Sequence, residues 1–364
     1  MKVLITAGGT GGHFYPAIAL ARELIKRNHQ ILFATRRVPL AIEVLQREKL
    51  EVTLVSCSPL LGKNPFAALK GSMQNIQGIF QGLRIIKTFK PDRVVGFGSY
   101  VSIPVVIAAF LKRVPVILHE QNVIPGWANR FSSRFAKVVA VSFEETVCYF
   151  QKGKAVVTGN PVRDDFQSAT PEDSRIALGL KEDLKVILVF GGSAGARSIN
   201  ESIDRSLESL SDLKDQIQFL HLTGHPDQTK KLTDTFLKYK FHAVVKEFSH
   251  EMNLCYASAD VVICRSGATT LAELIQTQIP AILVPYPYAT NDHQRKNAQL
   301  LQEKGCGIML SESLDLTVSL SRQIREWVLS PETLIKMRES YRKFSLSTQS
   351  AAKNLTDVVT REPL

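Results

Sequence analysis

The sequence predicts an α/β protein made of two Rossmann-like halves, each a parallel sheet flanked by helices. Three observations carry this. The apolar run that opens the chain, Lys2-Val-Leu-Ile-Thr6, enters a loop with four glycines in five residues, Gly8-Gly9-Thr10-Gly11-Gly12, followed by His13. A second apolar run, Leu184 to Phe190, enters a near twin of that loop, Gly191-Gly192-Ser193-Ala194-Gly195. The length of 364 residues also passes the ~250–300 at which a single core stops growing, so two domains fit better than one.

In the first half, glycines without Cβ atoms let a ligand approach the main chain, and the helix expected from Pro16 to Arg27 points its positive dipole end at the same loop. Such a loop suits a phosphate, although a ligand-free strand-to-helix turn fits the same residues. Gln30 to Thr35 is the next strand, and strand, helix and strand within some thirty residues make a βαβ unit. A dinucleotide site would require a third glycine where Phe14 stands and an acidic residue where the second strand ends in Thr35-Arg36-Arg37. NAD is thereby disfavoured, while the two arginines leave a 2′-phosphate of NADP open. No G-x-x-x-x-G-K-[ST] occurs, which removes a Walker-type NTPase.

Asn64 to Lys90 is expected to be a helix with Phe66, Leu69, Met73, Ile76, Phe80, Leu83 and Lys87 near one face. A core-facing helix is the simpler expectation. The alternative is an apolar patch resting on a membrane, with Lys63, Lys70, Arg84, Lys87 and Lys90 attracting anionic lipid. Further strands are expected at Arg93 onward, running into Gly96-Phe97-Gly98-Ser99-Tyr100, at Val114 to His119 before Glu120-Gln121-Asn122, at Val138 to Ser142 and at Ala155 to Thr158. Polar residues just past a strand lie at the carboxyl edge, where open α/β sheets bind ligands, so Asn122 is either a ligand contact or a turn-former. The turn-rich Gly159-Asn-Pro-Val-Arg163 and the polar segment after it put the boundary between domains 1–162 and 163–337.

The second half repeats the design, with strands expected at Ile217 to Leu222 and His242 to Val245. His221, His225 and His242 show no metal spacing and read as surface or strand-end residues. Asp260 to Cys264 runs into Arg265-Ser266-Gly267, where Thr269 and Thr270 are suited to cap a helix and Glu273 follows one turn in. Locally, Glu273 reads first as a capping-box partner and second as an acceptor for two vicinal sugar hydroxyls. Asn291 to Asn297 supplies polar groups at another strand end, and the two sheet edges are expected to face a cleft.

Composition narrows the function classes. Apolar residues at 45% supply packed cores, and a net charge of +11 implies an acidic partner. The basic residues are dispersed without an aromatic-basic motif, so nucleic acid is not the expected partner. Five scattered cysteines without a C-x-x-C pair point to reduced thiols rather than a disulfide framework or a zinc site. The opening apolar run ends too soon in glycine for a secretory signal.

Together the motifs resemble one family. GGTGGH, GFGSY, HEQN, GNPVR, GGSAGA, CRSGA with Glu273, and DHQ with Asn297 are similar, in this order and over nearly the whole chain, to those of the peptidoglycan N-acetylglucosaminyltransferases. The resemblance implies the GT-B fold and an inverting transfer of N-acetylglucosamine from UDP-N-acetylglucosamine to undecaprenyl-pyrophosphoryl-N-acetylmuramoyl-pentapeptide, lipid I to lipid II. It implies no metal and no cofactor. A peripheral position on the cytoplasmic face of the bacterial inner membrane follows, beside cell-wall synthesis and division proteins, with a last helix, about 338–364, packed back on the first domain. Carried over by position, Thr10, Gly11, Gly12 and Asn122 serve the sugar and the acceptor pyrophosphate, and Arg163 and Ser193 the donor pyrophosphate. Ser249 matches a uracil-reading position. Ala268, Thr269, Thr270, Leu271, Ala272 and Glu273 hold donor sugar and ribose, with Glu273 on the ribose hydroxyls, and Gln294 binds N-acetylglucosamine. Thr269 to Ala272 and His293 depart from the common family pattern. His13 is the candidate general base, since imidazole titrates near neutrality; binding the acceptor pyrophosphate or ordering the loop are its other readings. A UDP-N-acetylglucosamine 2-epimerase is the nearest rival, sharing the two-domain design without a lipid acceptor.

Overall fold

The computed structural model describes residues 1–8, 11–59, 65–162, 166, 169–192, 195–345 and 350–361. Two compact units divide the chain: Met1–Arg163 with Thr348–Leu364, and Asp164–Ser347.

The first unit runs β1 (Lys2–Thr6), α1 (Gly11–Lys26), β2 (Gln30–Thr35), α2 (Pro39–Arg47), β3 (Glu51–Leu54), α3 (Pro65–Phe89), β4 (Arg93–Gly96), α4 (Ser99–Leu111), β5 (Val116–Glu120), α5 (Trp127–Ser132), β6 (Val138–Val141) and β7 (Ala155–Val157). Its seven strands are all parallel in the order β3-β2-β1-β4-β5-β6-β7. Connections leave in opposite directions from β1 and β4, so the topological switch point, where doubly wound sheets bind ligands, lies at their carboxyl ends. Alternate residues of β1 face opposite layers: Val3 and Ile5 pack with Phe14 and Ile18 of α1, Leu4 with Val105 and Ala109 of α4. A strand covered on both faces must be apolar throughout, which is why this one reads as an unbroken run.

Two expectations for this unit need correction. Helix α1 begins at Gly11, not near Pro16, and Pro16 lies inside it. Pro16 removes one hydrogen bond, to the carbonyl of Gly12, without ending the helix, and His13 consequently sits in the first turn. The apolar face of α3 is also not core-facing from Leu69 to Phe80, where Leu69, Met73, Ile76 and Phe80 are 63%, 64%, 53% and 67% exposed, whereas Leu83 and Ile86 further along pack on the core. The helix packs through a different stripe. A Cβ on Gly78 would lie 2.1 Å from the Ser56 carbonyl oxygen, and one on Gly82 would lie 2.8 Å from Ala108 Cβ. Glycine is what lets α3 approach α4 and the segment after β3 so closely, leaving the large apolar residues outside. Gly78→Ala is therefore expected to destabilise the protein. The gain of about 1 kcal/mol in helix propensity is outweighed by an overpacking cost of about 1–3 kcal/mol against rigid backbone. Thermal denaturation checks this, and a raised Tm would contradict it. Among the described residues, no helix is long and apolar enough to cross a membrane.

The second unit runs α6 (Pro171–Leu178), β8 (Lys185–Phe190), α7 (Arg197–Ser206), β9 (Ile217–Leu222), α8 (Pro226–Lys238), β10 (Ala243–Lys246), α9 (Met252–Ser258), β11 (Val261–Cys264), α10 (Ala268–Thr277), β12 (Ala281–Leu283), α11 (His293–Glu303), β13 (Gly307–Met309), α12 (Leu316–Leu329) and α13 (Pro331–Ser345). Its six parallel strands are ordered β10-β9-β8-β11-β12-β13, with the switch point at the carboxyl ends of β8 and β11. Ile199 and Ile203 of α7 pack on the sheet with Leu320, Ile324 and Trp327 of α12.

Helix α14 (Ala351–Thr360) closes the first unit rather than the second. Leu355 and Val359 enter the core beside α1, and Asp357 bonds the Arg27 guanidinium at 2.5 Å. The return to the first unit comes later than about residue 338, because Leu334 and the fully buried Tyr341 of α13 belong to the second.

Candidate active site

In the first unit the switch point is built from three strand ends. After β1, Gly8 presses against the start of α4, where a Cβ would come 2.7 Å from Ser99 Cβ. β5 ends in a run of buried polar residues that continues one residue past it: His119, Glu120 and Gln121 are at most 1% exposed. Buried polar groups need partners, and here each finds several. The Glu120 carboxylate accepts from the backbone N–H of Asn122 (3.0 Å) and Gly126 (3.1 Å) and from the side-chain amides of Asn122 (3.3 Å) and Asn129 (2.8 Å). Thr146 Oγ1 donates to the Asn122 carbonyl at 3.2 Å. Asn122 is thus held on both sides of its backbone, as a turn residue at the ligand-binding edge.

His13, half-buried in the first turn of α1, meets this cluster with Nδ1 2.8 Å from Gln121 Oε1. Gln121 Nε2 lies 3.1 Å from the Phe97 carbonyl, 3.0 Å from the His119 carbonyl and 3.1 Å from His119 Nδ1. The far nitrogen of His119 bonds the Gly159 carbonyl at 3.0 Å. Burial is the main cause that lowers the His119 pKa to about 4, against the opposing hydrogen bond to Gly159, so this ring is neutral near pH 7.

In the second unit, Gly267 occupies the N-cap position of α10, and Thr269 and Thr270 stand at its second and third helical positions. Glu273 does not complete a capping box: its Oε2 accepts from the Tyr256 hydroxyl at 2.9 Å. Capping would need the carboxylate at the third helical position, and Glu273 stands at the sixth. Tyr256, fully buried on α9, has its phenol pKa raised well above the usual value, first by burial and then by the Glu273 charge, so it is a fixed donor. The same α10 start joins a second set of groups. Ser266 Oγ donates to the Gln294 carbonyl at 2.7 Å, Asn297 Nδ2 to the Ser266 carbonyl at 3.1 Å, and the Tyr286 N–H to Gln294 Oε1 at 2.9 Å. Arg265 ties this rim together through the carbonyls of Val284 and Pro285, Glu312 at 2.5 Å and Ser198 at 3.1 Å. Ser249 Oγ accepts the Glu251 N–H at 3.1 Å in the turn before α9.

The sequence-derived site residues therefore fall into three groups. Gly12, His13 and Asn122 lie at the switch point of the first unit. Ala268 to Glu273 and Gln294 lie at the rim of the second, although Leu271 is wholly buried. Thr10, Arg163 and Ser193 lie outside the described residues, while Gly11 is the first residue of α1 and Ser249 lies before α9 in the second unit. Gln121 and Tyr256 escaped the sequence reading. A polar triplet ending an apolar strand was a usable signal for the first; a tyrosine in a seven-residue helix gave none for the second. His221 is a buried strand residue rather than a surface one, bonded to Asn200 Oδ1 at 2.9 Å, its pKa lowered to about 3 by burial. Among the described residues no His, Cys, Asp or Glu cluster suits a metal ion.

Residues 3–141 match the glycosyltransferase family 28 N-terminal domain, and residues 186–355 match the family 28 C-terminal domain. The chain belongs to glycosyltransferase family 28. Curated relatives agree over nearly their full length. The UDP-N-acetylglucosamine--N-acetylmuramyl-(pentapeptide) pyrophosphoryl-undecaprenol N-acetylglucosamine transferase of Myxococcus xanthus is 39% identical, covering 98% of this chain and 92% of the relative. The protein of the same name from Geotalea uraniireducens is 38% identical over 100% of this chain and 98% of its own. Among solved structures, Acinetobacter baumannii MurG superposes with a TM-score of 0.78 at 27% identity, each chain covered completely. With two Rossmann-like units, this family 28 member has the GT-B fold. The UDP-N-acetylglucosamine 2-epimerase of Neisseria meningitidis, TM-score 0.72 at 16% identity with both chains fully covered, shares the fold alone.

Proposed function

We propose that this family 28 glycosyltransferase moves N-acetylglucosamine from UDP-N-acetylglucosamine to undecaprenyl-pyrophosphoryl-N-acetylmuramoyl-pentapeptide, converting lipid I to lipid II with inversion. The observation that carries the reading is 39% identity over 98% of the chain to a transferase named for that reaction. Two chemical tasks follow from it. The attacking hydroxyl must lose its proton, and the departing UDP must have its developing charge stabilised. His13 takes the first task, with Thr10, Gly11, Gly12 and Asn122 on the acceptor. Arg163 and Ser193 take the second, while Ser249 reads uracil, the α10 start and Glu273 hold sugar and ribose, and Gln294 bonds N-acetylglucosamine. Units 1–162 and 163–337 are read as acceptor and donor domains. Neither task calls for a metal or a cofactor. UDP release assayed with and without the lipid acceptor tests this: release that depends on the acceptor supports transfer, whereas acceptor-independent release supports the epimerase reading.

The lipid acceptor gives the exposed stripe of α3 a purpose. Leu69, Met73, Ile76 and Phe80 share one helical face, and Lys70, Arg84, Lys87 and Lys90 are exposed on the same helix or just beyond it. An anionic leaflet would attract the charges and take up the apolar side chains, the property expected of a peripheral protein at the cytoplasmic face of the inner membrane. Binding to vesicles containing anionic lipid should weaken with salt and fall about tenfold in Phe80→Ser, from the lost burial of one aromatic side chain. Binding that ignores both changes would remove α3 as the contact.

A further inference from the structure

We infer that His119 and Gln121 form a directional hydrogen-bond chain that holds His13 as the Nδ1–H tautomer, leaving Nε2 as the atom that receives the acceptor's proton. This deepens the proposed function and rests on its reading of His13 as the base. The direction is set from the buried end. The Gly159 carbonyl can only accept, so His119 Nε2, 3.0 Å away, carries the hydrogen. A neutral ring protonated there presents a bare Nδ1, and Gln121 Nε2 donates to it at 3.1 Å. Gln121 also donates to the Phe97 and His119 carbonyls at 3.1 and 3.0 Å, its two N–H bonds shared among three acceptors. Turning the amide over would set its oxygen against all three. The end facing His13 is therefore Oε1, which can only accept, and His13 Nδ1 at 2.8 Å must donate.

The consequence is chemical. In the neutral base Nε2 holds the free lone pair. During transfer the acceptor O–H bond breaks as an N–H bond forms at Nε2, the acceptor oxygen forms its bond to the anomeric carbon of the donor sugar, and the electron pair of the broken bond from that carbon to the phosphate oxygen leaves with UDP. The imidazolium so formed still donates through Nδ1 to Gln121, so the chain need not rearrange. An amide does this without adding negative charge, which suits a site that must also receive an acceptor pyrophosphate. Gln121, wholly buried, is on this account a positioning residue that acts through His13.

The full-length protein labelled with imidazole-15N histidine tests the chain directly. Among its eight histidines, the His13 signals are those lost in His13→Gln. At a pH where the ring is neutral, two-bond 1H–15N correlations should show a protonated Nδ1 and a bare Nε2; a protonated Nε2 overturns the inference without any variant of Gln121. Gln121→Met, similar in volume but without the acceptor, should shift His13 toward the Nε2–H form that free imidazole side chains favour. It should lower kcat by about 10- to 100-fold, with KM for UDP-N-acetylglucosamine changed less than about twofold. An unchanged tautomer in that variant also overturns the chain. Failure of His13 as the base would show separately, as near-normal turnover in His13→Ala, and would leave the tautomer result standing.

Discussion

His13→Ala should lower kcat by about 10²- to 10⁴-fold while leaving the affinity for UDP-N-acetylglucosamine within about twofold. That range corresponds to about 3–5 kcal/mol of transition-state stabilisation. The asymmetry follows from where His13 stands. It lies in the first turn of α1 and, among the described residues, bonds to Gln121 of the first unit, whereas the proposed donor-side groups, Glu273, Ser249 and Gln294, all belong to the second. Alanine keeps the helix, being its best former, so the loss should appear in turnover rather than in folding. Steady-state kinetics with a soluble acceptor, set beside equilibrium binding of the donor, separates the two quantities. A near-normal kcat would remove His13 as the base, and a matching loss of donor affinity would assign it a binding role.

Much of this architecture was legible in the chain because parallel sheets buried on both faces write themselves as continuous apolar runs. Gln30 to Thr35 and Ile217 to Leu222 match their strands end to end. The glycine loops that follow β1 and β8 marked both switch points for the same reason: a loop approaching a helix start closely needs glycine. What was not legible depends on partners distant in sequence. The short β3 and β13 were missed; four half-exposed or exposed residues such as Glu51-Val-Thr-Leu54 carry no apolar run, and they become a strand only by pairing with β2. The stripe of α3 has a helical period whichever way it faces, and its outward direction is decided by glycines at 78 and 82 meeting Ser56 and Ala108. Likewise, Gln121 is a ladder of contacts to residues 24 and 108 positions away, which no local pattern announces. The local capping reading of Glu273 failed for a similar reason, because its partner Tyr256 comes from a different helix.

That last pair carries the second large prediction. On the proposed reading, Glu273 accepts the two ribose hydroxyls, and charge-assisted bonds of this kind are worth about 1.5–3 kcal/mol, or about 10- to 100-fold in affinity. Glu273→Ala should therefore raise KM for UDP-N-acetylglucosamine by about 100-fold, with kcat much less affected because the ribose is remote from the reacting bond. Alanine has a second cost. It leaves the fully buried Tyr256 hydroxyl without its acceptor, which lowers stability by about 1–3 kcal/mol and should reduce Tm. Glu273→Gln separates the two effects, since its amide oxygen still accepts from Tyr256 while the charge is gone: KM should rise about tenfold with Tm nearly unchanged. Tyr256→Phe makes the opposite cut, keeping the charge but freeing one carboxylate oxygen from its 2.9 Å tether. A donor lacking the ribose 2′-hydroxyl then decides between recognition and mere packing. Wild type should discriminate against it, Glu273→Ala should not, and Tyr256→Phe should fall between. Full discrimination surviving in Glu273→Ala would move the ribose contact elsewhere and leave Glu273 as a structural acceptor for Tyr256.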